Sequence, residues 1–199
     1  MKVLVVEDQA LVRGAIGSLL GLESGIDVVG LAEHGQAALA LIANNPPDIV
    51  LTDIEMPEMT GLELAAEIQR HHSQIHVVVM TTFSKSGYIK RALDLGVKAF
   101  ILKEQPTEYL TSALAAVMQG KRVIEPELAL MALDDNDPLS DKERQAIRLA
   151  GEGMATKLIA QRLCLSEGTV RNYLSEAIAK LNATNRIDAA RIAKQKGWI

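Results

Sequence analysis

A doubly wound α/β domain on five parallel strands, followed by a small all-helical domain, is the architecture this sequence predicts. Three observations predict it. Over the first 120 residues, short apolar runs, most of them rich in Val and Ile, alternate five times with amphipathic stretches. Several of those runs are apolar without alternation, the pattern of parallel strands buried on both faces. After Pro138 no strand candidate remains and the periodicity is helical throughout.

The strand candidates are 2–6, 27–31, 49–52, 76–80 and 98–102. Between and after them lie helical patterns over 11–22, 35–43, 62–70, 87–95 and 107–118. In the first of these, Leu11, Ala15, Leu19 and Leu22 form one stripe, the kind an amphipathic helix turns toward a core. Five βα units in a row, with right-handed crossovers, imply a flavodoxin-like sheet of order 2-1-3-4-5. Residues 120–137 read as a linker: they hold Pro126, the acidic cluster Asp134-Asp135-Asn136-Asp137 and a short helical stretch at 128–133. The all-α domain then spans 138–199, with helical patterns at 141–150, 155–163, 167–181 and 186–196. The first domain accordingly spans 1–119.

Composition sets bounds on function. A hydrophobic fraction of 48% and a charged fraction of 23% are those of an ordinary globular protein. No secretory signal and no run long enough to span a bilayer is present, so a cytoplasmic chain without membrane insertion is expected. The single cysteine, Cys164, excludes an intrachain disulfide and reads as a small buried hydrophobe. His34, His71, His72 and His76 lack ligand spacing and read as surface or strand-edge residues. Aromatic residues make up 3% of the chain, too few for a single-strand nucleic-acid binder that works by stacking. Charge is unevenly placed. Residues 1–120 carry 8 basic and 14 acidic side chains, whereas residues 138–199 carry 11 basic and 6 acidic. Such a split directs the second part, not the first, toward a polyanion.

In open α/β sheets ligands bind outside the carboxyl ends of the strands. Glu7 and Asp8 end the first strand, Asp53 the third, Thr81 and Thr82 the fourth, and Lys103 the fifth. In the order 2-1-3-4-5 these four ends are neighbours. Three crowded acids repel one another unless a cation joins them, and an all-oxygen set selects a hard ion such as Mg²⁺. Lys103 offers a point charge to a phosphate oxygen, and Thr81 a hydroxyl. That set suits in-line phosphoryl transfer to a carboxylate. Asp53 is the nucleophile candidate because it ends a central strand, before a loop containing Pro57 and Gly61. Taken singly, each acid is a common helix cap or loop residue. The weight lies in the coincidence of four strand ends.

The segments VVEDQ, LTDIEMPEMTGLE, VVMTTF and GVKAFILKE, within residues 1–119, resemble the receiver domain of two-component response regulators. That resemblance implies that Asp53 accepts a phosphoryl group from a phosphohistidine on a sensor histidine kinase. It implies that Asp8 ligates Mg²⁺ directly, that Glu7 helps through water, and that Glu55 contributes its backbone carbonyl. Thr81 becomes the switch hydroxyl, Lys103 the lysine of the site and Phe100 the switch aromatic. Two departures stand out: Glu104 replaces a frequent Pro, and Phe100 lacks the hydroxyl some members carry, which leaves it no polar handle on the switch state. A phosphatase of the haloacid-dehalogenase type is the alternative suggested by Asp53-Ile54-Glu55. That family has Asp at the third position and sets its motif on the first strand.

In the second domain, the break at Leu163–Ser166 separates two helical patterns, with Ser166 placed to cap the second and Glu167 near its positive end. Val170, Leu174, Ala177, Ile178 and Leu181 form its apolar stripe. Gly168, Arg171, Asn172 and Ser175 lie opposite, and the last three suit base edges. Lys157, Arg162, Lys180 and Arg186 suit phosphates. Periodicity alone would fit a bundle with a solvated face equally well. The segments PLSDKE, AGEGMATKLIAQRL, LSEGTVRNYLSEAIAKL and NRIDAARIA, however, resemble the LuxR-type helix-turn-helix.

With the first domain they resemble the NarL/FixJ class over nearly the whole chain, and IEMPEMTGLE, TTFSKSGY, VRNY and NRIDA resemble its DesR-like branch in particular. The resemblance implies a recognition helix starting near Glu167 that presents Arg171, Asn172 and Ser175 to the major groove. Thr169 and Lys157 fall at backbone-contact positions, with Ser166 and Lys180 beside them. The last helix becomes the dimer contact. Thr156 and Leu158 beside Lys157, and Tyr173 where His is frequent, depart from the family pattern. The implied partners are the kinase, promoter DNA with pseudo-palindromic half-sites, RNA polymerase and a second copy after phosphorylation. No catalysis is implied beyond the chain's own phosphorylation and dephosphorylation. A constitutive DNA binder with a vestigial receiver remains the alternative.

Overall fold

Five parallel strands form the centre of the N-terminal part in the order β2-β1-β3-β4-β5. They are β1 (Lys2–Val6), β2 (Asp27–Ala32), β3 (Ile49–Thr52), β4 (His76–Thr81) and β5 (Ala99–Leu102). The helices are α1 (Ala10–Gly21), α2 (Gly35–Asn44), α3 (Gly61–His71), α4 (Ser86–Asp94) and α5 (Thr107–Met118). Then follow α6 (Pro126–Leu133), α7 (Asp141–Gly151), α8 (Thr156–Leu163), α9 (Glu167–Lys180) and α10 (Arg186–Lys196). The computed structural model describes residues 1–82, 85–124, 126–133 and 137–199, with backbone only at 127 and 131–133. The chain divides into two compact units, one built on the sheet and one on the C-terminal helices.

Strand side chains alternate between two apolar layers, which is why the strand runs read as continuously hydrophobic. Leu4, Val6, Val50, Val77, Val79 and Phe100 meet α2, α3 and α4 on one face. Val3, Val5, Ile49, Leu51, Val78, Met80 and Ile101 meet α1 and α5 on the other. The helical unit closes a separate core around Ile147, Ile159, Val170, Leu174 and Trp198. Among the described residues, no helix is long and apolar enough to cross a membrane.

Three expectations need correction. First, α1 does not bury the stripe Leu11–Ala15–Leu19–Leu22: Leu11 is 85% and Leu22 84% exposed, while Ile16 and Leu20 are buried and Val12 packs against them. The helix is apolar around most of its circumference. Spacing alone therefore could not choose between two parallel stripes, and packing on Val3 and Val5 chose the other. Second, residues 120–137 are not a free linker from their start. Val123 bridges Ala99 of β5, with Phe100 N–H donating to the Val123 carbonyl at 3.0 Å. Leu128 of α6 is buried in the layer that holds Phe100. Pro126 opens α6, where a missing N–H costs nothing. Of the acidic cluster, Asp137 is paired with Arg144 at 2.8 Å, and residues 134–136, like Phe83 of the VVMTTF segment, lie outside the described residues. Third, Cys164 is exposed, not buried. It caps α8 in a left-handed conformation with φ 55°, where the chain reverses toward α9.

Gly61 is fixed by steric contact. A Cβ there would collide with the Asp53 carbonyl oxygen. The Gly61 N–H donates to the Ile54 carbonyl at 3.0 Å, and Thr60 opens α3 through a reciprocal capping box with Glu63. These contacts fold the loop after Asp53 back on the strand end. Gly61→Ala is expected to lower stability by about 1–3 kcal/mol, the range for forcing an extra group into a packed site. Chemical denaturation followed by far-UV circular dichroism checks it.

Candidate functional site

The carboxyl ends of β1, β3 and β5 bring Glu7, Asp8, Asp53 and Lys103 together. Parallel pairing sets this up: Val6 lies opposite Thr52, and Asp53 N–H donates to the Val6 carbonyl at 2.9 Å. Oxygen atoms of Glu7, Asp8 and Asp53 lie within 4.8 Å of one another. Glu7 is 1% and Asp53 7% exposed, whereas Asp8 is open to solvent. Lys103 Nζ sits between the two buried acids, 2.6 Å from Glu7 Oε2 and 2.9 Å from Asp53 Oδ2. The other Asp53 oxygen accepts from the Ile54 N–H at 2.7 Å.

The electrostatics follow from this crowding. Burial raises the Glu7 pKa above its ordinary value, against the opposing pull of the Lys103 hydrogen bond and charge. Burial works against the Lys103 charge, but the hydrogen bonds and charges of Glu7 and Asp53 outweigh it, and its pKa lies above the ordinary value. The Thr81 side chain is buried at the end of β4, and Lys103 N–H donates to the Thr81 carbonyl at 2.9 Å. Thr82 is exposed beside it, and Phe100 is buried in the layer below. Three oxygen-bearing acids at this separation fit a hard divalent cation, with Asp8 the open side through which it would enter.

Three supporting residues gave no signal in the sequence. Arg13, in the first turn of α1, donates through Nη1 to the carbonyls of Glu7 and Asp8 and so holds the loop that carries both acids. Tyr88 of α4 donates from its hydroxyl to Glu55 Oε1 at 2.7 Å. Burial first, then Glu55, keeps that hydroxyl protonated, with its pKa well above the phenol range. His34 caps α2 by accepting from Ala37 N–H, and its other ring nitrogen lies 3.3 Å from Glu58 in the loop after Asp53. The sequence placed His34 on the surface. The Tyr88–Glu55 and His34–Glu58 contacts join segments that no local pattern links, and the Arg13 contact, though short in sequence, follows no periodic pattern.

In the helical unit, α8 and α9 meet at a tight turn. Leu165 N–H donates to the Ala160 carbonyl at 2.9 Å, and Ser166 caps α9 by accepting from Thr169 N–H at 3.1 Å. Val170, Leu174 and Ala177 face inward. Arg171, Asn172 and Ser175 are exposed on the opposite face, as is Lys157 at the start of α8. Thr169 is half-buried, its hydroxyl 2.8 Å from that of Ser166. Lys180 differs from the other expected phosphate contacts, because its Nζ lies 2.8 Å from both carboxylate oxygens of Glu143. Glu143 is 1% exposed and also closes a capping box with Ser140 at the start of α7. Lys180 therefore braces α9 against α7.

A parallel α/β unit with a buried, lysine-bridged acidic site, followed in the chain by a helical unit presenting an exposed polar helix face, defines a receiver joined to a DNA-reading module. The comparisons agree. Residues 3–115 match the response regulator receiver domain, and residues 137–193 match the bacterial regulatory proteins of the luxR family. The chain is 42% identical over 198 residues to the transcriptional regulatory protein DesR of Bacillus subtilis, covering 100% of this chain and 98% of that one. It is 43% identical over 199 residues to the uncharacterized transcriptional regulatory protein YvfU of the same organism, covering both chains completely. Among solved structures, RcsB of Salmonella enterica serovar Typhimurium, bound to promoter rprA in the presence of phosphomimetic BeF3⁻, superimposes with a TM-score of 0.74. The match has 26% identity and covers 98% of both chains. The chain belongs to the two-component response regulators of the NarL/FixJ class, and is a DNA-binding transcription regulator, not an enzyme of the ordinary kind.

The Glu143–Lys180 pair gives the helical unit a pH dependence. Burial alone would raise the Glu143 pKa, but the hydrogen bonds from Lys180 and Ser140 outweigh it and hold the carboxyl below its ordinary 4.5. The pair thus stabilises the fold fully above that value, and the contribution is lost as pH falls through the lower folded-state pKa. Glu143→Gln is expected to cost about 1–3 kcal/mol near neutral pH and to flatten this acid dependence. Urea titrations followed by fluorescence of Trp198, the single tryptophan, which packs in that core, check both.

Proposed function

We propose that Asp53 is the phosphoacceptor and that its phosphorylation by a sensor histidine kinase favours a dimer that binds paired DNA half-sites. One observation carries the reading: a nearly buried carboxylate at a central strand end, held by Lys103 at 2.9 Å and flanked by two more acids. An Asp53 oxygen attacks the phosphorus of phosphohistidine, the P–N bond breaks, and the imidazole leaves with its electron pair. Lys103 accompanies the incoming phosphoryl oxygens. Thr81 offers them a hydroxyl, and Ile54 N–H holds the second Asp53 oxygen. Asp8 and Asp53, with water-bridged Glu7 and the Glu55 carbonyl, would hold Mg²⁺, which when bound neutralises charge on the transferring group.

Phosphorylation adds roughly −1.5 to −2 charges where Lys103 now serves two acids. The lysine and Thr81 are drawn to the new oxygens, and this redistribution biases the receiver toward dimerisation. Two α9 helices then enter major grooves about one turn apart, with Arg171, Asn172 and Ser175 at base edges. Thr169, Ser166, Lys157, Arg162 and Arg186 address the backbone, while Lys180 keeps the helix in place. The RcsB structure, which holds promoter DNA in the presence of a phosphate mimic, supports a receiver of this kind and DNA binding acting in one chain. At a promoter the dimer would stand beside RNA polymerase, its third partner. Residues 1–119 and 138–199 serve as the phosphoacceptor and DNA-binding domains. The site of action is the cytoplasm.

Wild type incubated with Mg²⁺ and acetyl phosphate is expected to gain one phosphoryl group by intact mass and to shift toward dimer, and Asp53→Asn to do neither. Phosphate uptake by Asp53→Asn, or turnover of the donor without retention, would sink this reading. On duplexes selected for binding, Arg171→Ala is expected to cost about 1–3 kcal/mol and to relax preference at one position. Lys157→Ala is expected to weaken all duplexes alike and lower the salt slope by about one. Salt titrations of fluorescence anisotropy separate the two.

A further inference from the structure

We propose that Arg13 is a positioning residue for the cation site: its guanidinium fixes the main chain at Glu7 and Asp8, so that the exposed Asp8 carboxylate stands ready for a divalent ion. The proposal rests on the reading of Asp53 as a phosphoacceptor served by Mg²⁺. It goes beyond that reading by giving a role to a residue that supplies no ligand. Arg13 Nη1 lies 2.5 Å from the Glu7 carbonyl oxygen and 3.2 Å from that of Asp8. Both acceptors are main-chain atoms. Among the described residues Arg13 forms no ion pair, although three carboxylates gather at the neighbouring strand ends. An arginine paired with one of those acids would compete with an arriving cation. One that holds the backbone leaves the carboxylate oxygens free for it.

The three acids differ in how they are held. Asp53 is fixed by its N–H on the Val6 carbonyl, and its carboxylate accepts from Ile54 N–H and Lys103. Glu7 N–H donates to the Ala32 carbonyl, and its carboxylate accepts from Lys103 and Gln9 N–H. Asp8 lies past the end of β1 and is exposed, and among the described residues its hydrogen-bond partner is Arg13 alone. The ligand that the sheet holds least is therefore the one that Arg13 secures. Arg13 can act as an anchor because its own helix is fixed. Ile16 and Leu20 are buried in the layer that holds Val3 and Val5, and Arg13 N–H donates to the Gln9 carbonyl at 2.9 Å. Gln9, the cap of α1, contributes no side-chain bond, so the reach of Arg13 back over the first turn ties this loop to the helix.

The test is Mg²⁺ binding to the full-length protein, without phosphodonor, by isothermal titration calorimetry for wild type, Arg13→Met and Arg13→Lys. Circular dichroism and metal-free thermal unfolding verify that each variant folds, and Arg13→Lys carries the comparison if Arg13→Met does not. Arg13→Met keeps the stem and removes the donors. Its Mg²⁺ affinity is expected to fall about tenfold, as for loss of a group that orients a ligand. Arg13→Lys, with one ammonium in place of the fork, should recover part of that loss. With acetyl phosphate, Arg13→Met should react slowly at low Mg²⁺ and within about twofold of wild type at saturating Mg²⁺, since its defect lies in holding the ion. A guanidinium acting through charge alone would repel the cation, so tighter Mg²⁺ binding by Arg13→Met overturns the proposal. Unchanged affinity in the folded variants, or a rate loss that persists at saturating Mg²⁺, overturns it too and leaves the Asp53 reading standing. If folded wild type binds no Mg²⁺, the cation site itself fails and the role of Arg13 falls with it.

Discussion

Glu7 and Asp53 are two carboxylates taken almost wholly out of water and placed within reach of one another, with Lys103 between them. Burying one such charge unpaired costs several kcal/mol, and two close together cost more. The sheet bears this cost because the acids cap strands whose hydrogen bonds leave them no other direction. Asp53 N–H is fixed to the Val6 carbonyl, and Glu7 N–H to the Ala32 carbonyl at 3.0 Å. The acids are where parallel pairing puts them, and the lysine comes from the end of β5, two strands from Asp53 and three from Glu7, to meet them. A centre of this kind is poised: any arriving cation or phosphoryl group changes which charges neutralise which. Its sensitivity and its stability share one origin.

The helical unit uses the same device for another purpose. Glu143 is as buried as Glu7 and is also met by a single lysine. Here, however, the carboxylate has a second set of partners in the Ser140 capping box, so the acid is anchored at both ends. The result is a brace between α7 and α9, which suits the proposed role of α9 as the helix that enters a groove.

Much of this was legible in the sequence, for definable reasons. Strands buried on both faces have to be continuously apolar, so β1, β3 and β4 declared themselves. Strand ends carry function in such sheets, so Glu7, Asp8, Asp53, Thr81 and Lys103 could be picked out before any geometry. What stayed hidden depends on contacts between distant segments. The buried stripe of α1 could not be told from its neighbour, because Leu11 and Leu22 are as apolar as Ile16 and Leu20 and only the sheet beneath decides. Val123 looked like linker because a single bridge to Ala99 leaves no periodic trace. Tyr88 reaches Glu55 from α4, and Arg13 ties down the Glu7–Asp8 backbone from only five or six residues away; each acts through one side chain, and a lone side chain makes no pattern.

Lys103 and Lys180 show how far residue type alone can carry a reading. Both were picked as cations that meet phosphate, one on Asp53 and one on DNA. Both are instead found neutralising a buried acid within the chain. For Lys103 that pairing is compatible with the proposed role, because the acids it serves are the ones a divalent cation would take over, freeing the ammonium for a phosphoryl oxygen. For Lys180 no such exchange is available: Glu143 is 1% exposed, and drawing the lysine toward DNA would leave that buried charge without its counter-ion. The two lysines share a chemistry and differ in what can replace them. That difference separates a switch from a brace.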